Sequence, residues 1–180
     1  MSTSTTLYRF RIQVSDIDRG FYDALDFRIA MHPSETHPFL LSRVLAYALN
    51  AAEGLKFSPG GLSDPDSPCL EIPGQHGGYK LWIEIGNPST RKLHKASKAA
   101  QTVKVYTYKD PNLLLREMKA AEVHKAEAIE VFALGSNLLD ALAETLERDN
   151  DWHLTHSEGS LILNIGDHTV EGSLVRHTLT

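Results

Sequence analysis

An α+β fold, with a mixed β-sheet flanked by helices, is what this 180-residue sequence predicts. Three observations carry that expectation. Apolar and polar residues alternate at residues 7–14 and again at 81–85, which marks strands. Apolar residues recur at helical spacing over residues 39–52 and 137–146. Helices alternate with strands in the middle of the chain, and strand pairs joined by short turns frame both ends, which suits helices packed on a mixed sheet.

The totals narrow the field. The length suits one domain over residues 1–180. No apolar run approaches the roughly 18 residues that span a bilayer, and the first residues lack a basic-then-apolar signal pattern. A cytoplasmic protein is the expectation. The single cysteine, Cys69, excludes an internal disulfide and a thiolate metal cluster. A net charge of -5 argues against a general nucleic-acid-binding surface while leaving room for a local basic patch.

The elements follow in order. Tyr8, Phe10, Ile12 and Val14 fall on one strand face, with Arg9, Arg11 and Gln13 on the other. Turn chemistry at residues 15–20 leads into a second strand at 21–31, so an N-terminal antiparallel hairpin is expected. Ser34 suits a helix N-cap, with Glu35 in the first turn where the dipole favours it. The helix runs through Phe39, Val44 and Leu49 to a stop at Gly54. A long irregular stretch, residues 58–78, carries Gly60-Gly61 and then Ser63-Asp64-Pro65-Asp66. Short strands at 69–72 and 81–85 follow, the second with Lys80, Trp82 and Glu84 on one face. Asn87-Pro88-Ser89-Thr90 ends that strand and opens a helix. On this helix Leu93 and Ala96 face inward, and Arg91, Lys95 and Lys98 form an outward row at helical spacing. A strand at 102–108 comes next, then a helix at 112–123 with Leu113, Leu114, Met118 and Ala121 inward. A strand at 128–134 and a helix through Leu146 complete the middle. Strands at 152–156, 160–165 and 169–178 close the chain, with glycine turns between them.

The chemistry-bearing residues gather in residues 63–108. Asp64 and Asp66 lie on the loop and Glu84 on the return strand, and hard cations such as Mg2+ take carboxylate oxygens. Lys95, with Arg91 one turn earlier, offers positive charge to a phosphate. Each feature also has a plain reading. Asp-Pro-Asp is ordinary turn chemistry, and a row of cations is ordinarily a solvated helix face. Glu84 is the harder one to explain away, because a carboxylate in an apolar strand is costly to bury without a partner. The nine histidines show no metal-ligand spacing, and there is no zinc-helix, nucleophile-elbow or Walker motif. Cys69 suits a small buried residue. Tyr106 and Tyr108 suit either sheet packing or stacking on bases.

These stretches resemble the YaeQ family of small bacterial proteins. The matching segments are H-P-S-E-T at 32–36, L-W-I-E-I-G at 81–86, R-K-L-H-K-A at 91–96, V-S-D-I-D-R at 14–19, and Thr107-Tyr108. The resemblance runs the whole length. It implies a variant of the PD-(D/E)XK, restriction-endonuclease-like core, with metal-binding acids on a hairpin, framed by the N-terminal hairpin and the C-terminal antiparallel strands. Asp64 or Asp66 matches the loop acid and Glu84 the strand acid. The lysine of that pattern, two residues after the strand acid, is absent, because position 86 is Gly86. Lys95 from the next helix would substitute. Glu35 resembles an accessory helix acid. The resemblance thus implies Mg2+ as cofactor, held by Asp64, Asp66 and Glu84, and a nucleic acid or a transcription-related protein as partner. The alternative it leaves is a non-catalytic binding module, linked to transcription elongation, on the same scaffold.

Overall fold

The computed structural model describes residues 5–59 and 64–180. Gly60, Gly61 and Ser63 of the expected loop lie outside them. Among the described residues, ten strands in both parallel and antiparallel pairing and four α-helices make an α+β protein, in agreement with the sequence. The chain divides into two compact units, one of residues 1–49 with 134–174 and one of residues 50–133 with 175–180.

The first unit has the strand order β2-β1-β8-β9-β10. Strands β1 (Thr6–Asp16) and β2 (Phe21–Met31) form the expected hairpin, in register from Thr6 opposite Met31 to Asp16 opposite Phe21. Gly20, at φ 65°, makes its turn. Strand β1 also pairs in parallel with β8 (Asp149–Ser157), Ile12 opposite Trp152. Strands β8, β9 (Ser160–Ile165) and β10 (His168–His177) then run antiparallel. The buried face carries Phe10, Ile12, Val14, Trp152, Leu154 and Leu163. Phe10 sits edge-on to Trp152 at 5.0 Å and stacks on Phe27.

Helix α1 (His37–Leu49) packs against α4 (Ser136–Thr145) and touches β1 and β2. Leu40, Leu41, Val44, Leu45 and Ala48 are fully buried, each leucine contributing about 1.5–3 kcal/mol of transfer free energy. Helix α4 approaches β10 so closely that a Cβ on Gly172 would lie 2.9 Å from Leu138.

The start of α1 departs from the sequence reading. The cap is Thr36, whose Oγ1 accepts the Phe39 amide at 3.3 Å. Ser34 instead bonds His32. Glu35 therefore precedes the helix and is buried in a bidentate pair with Arg43, at 2.7 and 2.8 Å. It also accepts the His32 amide. Asp16 is buried in the same unit. It takes His156 Nδ1 at 3.0 Å and Arg19 Nε at 3.0 Å. Burial opposes its charge, but Arg19 and His156 outweigh that and hold the carboxyl below the usual range.

The second unit has the order β7-β6-β5-β4-β3. Strand β3 (Lys56–Phe57), too short to read from the sequence, pairs with β4 (Leu70–Pro73). Strand β4 is antiparallel to β5 (Tyr79–Ile85). Helix α2 (Thr90–Ala99) then crosses to β6 (Ala100–Thr107), parallel to β5. Helix α3 (Pro111–Ala120) leads, through a short 3-10 turn at Ala126–Ala128, to β7 (Glu130–Leu134), parallel to β6. Trp82, Leu93, Val105, Leu114, Met118 and Val131 form the core on the helix side.

Two readings of burial change here. On α3 the buried residues are Leu114 and Met118, with Leu115 half-buried against the core. Leu113 is exposed, and Ala121 caps the helix from outside. On β6, Tyr106 is buried, stacks on Phe132 at 5.0 Å and accepts the Asn50 amide at 2.8 Å. It is a core residue rather than a platform for bases.

Helix α2 is held to the turn after α3. His94 Nδ1 accepts the His124 amide at 3.0 Å, and the Ser97 hydroxyl donates to the His124 carbonyl.

Removing one member of a buried ion pair strands the other charge. Arg43→Met should therefore lower unfolding free energy by about 3–5 kcal/mol. The Glu35→Met/Arg43→Met double variant should recover part of that loss, read from urea denaturation midpoints.

Candidate functional site

In the second unit the acids and cations form two separate pairs, Glu84 with Lys92 and Asp66 with Lys95, rather than one cluster. Trp82 and Glu84 share the helix-side face of β5, and Glu71 lies directly opposite Trp82 across the β4–β5 ladder. Strand β5 lies between β4 and β6, residues 81–85 are buried on both of its faces, and Glu84 is only 1% exposed. Its Oε1 accepts Trp82 Nε1 at 3.1 Å and pairs with Lys92 Nζ at 2.9 Å. Its Oε2 faces Cys69 Sγ at 3.7 Å. Burial pushes the Glu84 carboxyl above its ordinary range, with Lys92, Trp82 and Cys69 pulling against that.

Position 86 explains the missing lysine. Gly86 donates its amide to the Tyr106 carbonyl at 2.8 Å and turns the chain at φ 80°, where a side chain would be strained. Ser89 then caps α2 by accepting the Lys92 amide at 3.1 Å. That cap sets Lys92 in the first turn, from where its ammonium reaches Glu84.

The loop acids lie along the same helix. Asp64 accepts the Asp66 amide at 2.9 Å and the Ser67 hydroxyl at 2.5 Å, an Asx-type turn. The Ser67 and Asp66 bonds hold its carboxyl below the usual range, with Lys95 and Lys92 adding to the effect. Asp66 pairs with Lys95 Nζ at 3.4 Å, both groups being exposed. Such a pair contributes little to stability. Arg91 and Lys98, the other members of the expected row, make no ion pair among the described residues. A hollow of about 250 Å3 opens at the end of α2, lined by Gly74, Gly78, Tyr79, Lys98 and Gln101. Burial first, then Glu71 and Asp64, raise the Tyr79 hydroxyl's proton affinity.

Two residues of this region were not singled out from the sequence. Lys92 is the cation that meets Glu84. The signal was there: it lies one turn before Ala96, on the edge of the buried stripe. Glu71 is buried, accepts Ser58 Oγ at 2.7 Å and lies 3.7 Å from Lys56. Its side of β4 follows only from the pairing register. Glu35, in contrast, belongs to the other unit, in its own closed pair with Arg43. Among the described residues no three His, Cys, Asp or Glu side chains gather closely enough to hold a metal ion.

Comparison with known proteins follows the same lines. A family model described as YaeQ protein matches residues 1–174. An uncharacterized YaeQ protein of Salmonella typhi is 29% identical over 180 residues, covering 95% of this chain and 94% of that one. Another, from Escherichia coli K12, is 36% identical over 108 residues, covering 60% of this chain and 59% of its own. The crystal structure of the YaeQ protein from Xanthomonas axonopodis pv. citri superposes with a TM-score of 0.88 at 27% identity, covering 98% of this chain and 100% of that one. That of the Pseudomonas syringae YaeQ protein also reaches 0.88, at 28% identity and 99% of each chain.

The raised proton affinity of Glu84 has a signed consequence. A carboxyl whose folded pKa lies above its unfolded value binds its proton more tightly when folded. Its contribution is full below the unfolded glutamate pKa and is lost as pH rises through the folded one. The stability difference between wild type and Glu84→Gln, measured by thermal melts through the weakly acid range, should therefore shift against the wild type as pH rises.

Proposed function

This chain belongs to the YaeQ family, and from that premise we propose that its second unit carries a phosphodiester-directed site of the PD-(D/E)XK kind. The observation that carries the reading is the pair of Glu84 and Lys92 at 2.9 Å. An acid on a central strand meets a lysine delivered from the next helix. The two groups that such a site needs side by side are present, although position 86 is Gly86. The order of elements supports it too: an antiparallel β4–β5 hairpin, then α2, then β6 parallel to β5.

In this reading Lys92 takes the lysine's place and Lys95 serves further out. Lys95 and Arg91 would receive a phosphate, since a cation beside a phosphoryl group stabilises developing charge. Mg2+ needs only one or two protein carboxylates with waters, and the donors here are all oxygen, which fits it in kind. Asp64 and Asp66 would hold it, and when bound it would supply positive charge to the phosphate. Nucleic acid is the substrate class with this chemistry.

A second reading keeps the scaffold without catalysis, as a module binding nucleic acid or a transcription-related protein. The engagement of both Glu84 oxygens favours it, and fold likeness alone does not establish activity.

Cleavage of labelled single- and double-stranded DNA and RNA with Mg2+ or Mn2+ separates the two. The site reading expects metal-dependent turnover that falls by about 100-fold or more in Lys92→Ala and Glu84→Gln, as loss of a stabilising charge does elsewhere. Oligonucleotide binding that persists with no turnover in any metal would leave the binding module standing.

A further inference from the structure

Strand β2 is the terminal strand of its unit and, among the described residues, pairs with β1 alone. Which of its backbone groups face outward follows from β1. The Arg9 amide reaches the Arg148 carbonyl at 2.8 Å, the Ile17 amide reaches the His156 carbonyl at 2.9 Å, and the Arg9 carbonyl accepts Asn150 Nδ2. Odd-numbered residues of β1 thus turn toward β8, and even-numbered ones toward β2. Phe10 lies opposite Phe27 and Ile12 opposite Leu25. Odd-numbered residues of β2 therefore bond to β1. The backbone groups of Tyr22, Ala24, Asp26, Arg28 and Ala30 point away from the sheet.

Two of those outward groups are already taken within the chain. The Ala24 amide donates to Asp23 Oδ1 at 2.8 Å, and the Ala30 carbonyl accepts Arg43 Nη2 at 2.9 Å. Between them Asp26 and Arg28 lie exposed side by side. Arg28 faces a like charge, Arg9, across the ladder, and Arg9 is spent on Asp26 at 2.8 Å. Among the described residues Arg28 makes no ion pair.

We propose that two copies of this chain associate edge to edge through β2, antiparallel, with Asp26 of each opposite Arg28 of the other. In that register the amide and carbonyl of Asp26 meet the carbonyl and amide of Arg28 in the second copy, and the same pair forms again by symmetry. The Ala30 amide meets the Ala24 carbonyl. The one remaining couple, the Ala24 amide and the Ala30 carbonyl, consists of the two groups already satisfied within their own chains, so no group from Ala24 to Ala30 is orphaned; Tyr22, which would face the spent His32, lies beyond the ladder. Phe27 falls opposite Phe27, and Leu25 opposite Ile29, which extends the buried face across the seam. Sliding by one pair in either direction sets Asp26 against Asp26 or Arg28 against Arg28. It also leaves either the Arg28 carbonyl or the Asp26 amide facing a group that is already spent. Charge and hydrogen-bond accounting select the same register, and an open edge of this length is a template for strand pairing.

Sedimentation equilibrium over micromolar to millimolar protein, with hydrogen exchange at both ends of that range, tests it. A reversible dimer is expected, in which the Asp26, Arg28 and Ala30 amides exchange more slowly as concentration rises. Arg28→Asp should weaken association by more than about tenfold by opposing like charges. The Asp26→Arg/Arg28→Asp double variant should restore it, with far-UV circular dichroism confirming that each variant is folded. A protein that stays monomeric throughout overturns the proposal. So does a dimer indifferent to the single reversal, or one whose β2 amides are unaffected by concentration.

Discussion

A carboxylate inside a sheet is the constraint around which the second unit is arranged. Glu84 stands on a strand flanked on both sides, with its side chain 2% exposed. An ion there loses its water, a penalty of several kcal/mol unless neighbours replace the hydration. The neighbours come from three places: Trp82 from the same strand face, Cys69 from just before β4, and Lys92 from α2. Lys92 can arrive only because the chain turns at Gly86 and the helix starts at the Ser89 cap. Turn, cap and ion pair depend on one another.

The first unit meets the same problem and closes it differently. Glu35 and Arg43 satisfy each other bidentately, and Asp16 is enclosed by Arg19 and His156. Those clusters tie a helix start and a strand end into place. The acids of the second unit differ because their cations continue outward. Lys92 seals Glu84, while Lys95, one turn on, meets the exposed Asp66. A buried charge alone does not mark a site; a buried charge continued by a row of exposed ones is a better candidate.

Much of this was legible in the sequence. Alternation places β1, the turn chemistry at 15–20 with the apolar residues after it gives β2 and the hairpin, and the Asn-Pro-Ser-Thr segment places the start of α2. Other features depend on partners far along the chain, which local pattern does not encode. The parallel pairing of β1 with β8 joins residues 9–16 to residues 149–156. Period-two alternation on β5 separates two faces without saying that both are covered. Arg91, Lys95 and Lys98 form one outward stripe by spacing, yet the cation that meets Glu84 is Lys92, at the stripe's buried margin. At α1, Ser34 and Thr36 are both good caps. Thr36 wins because Glu35 is drawn into its pair with Arg43, leaving the helix to begin beyond it.

The link between α2 and the turn after α3 has a mechanical consequence. With His94 and Ser97 both fastened to His124, the helix has little freedom to slide or roll over the sheet. Its outward cations at 91, 95 and 98 are then marks on a ruler, spaced about 6 Å and then about 4.5 Å apart along the axis. A flexible polyanion laid along it would have to conform to that fixed gauge, so any selectivity would arise from the guest's own pliancy.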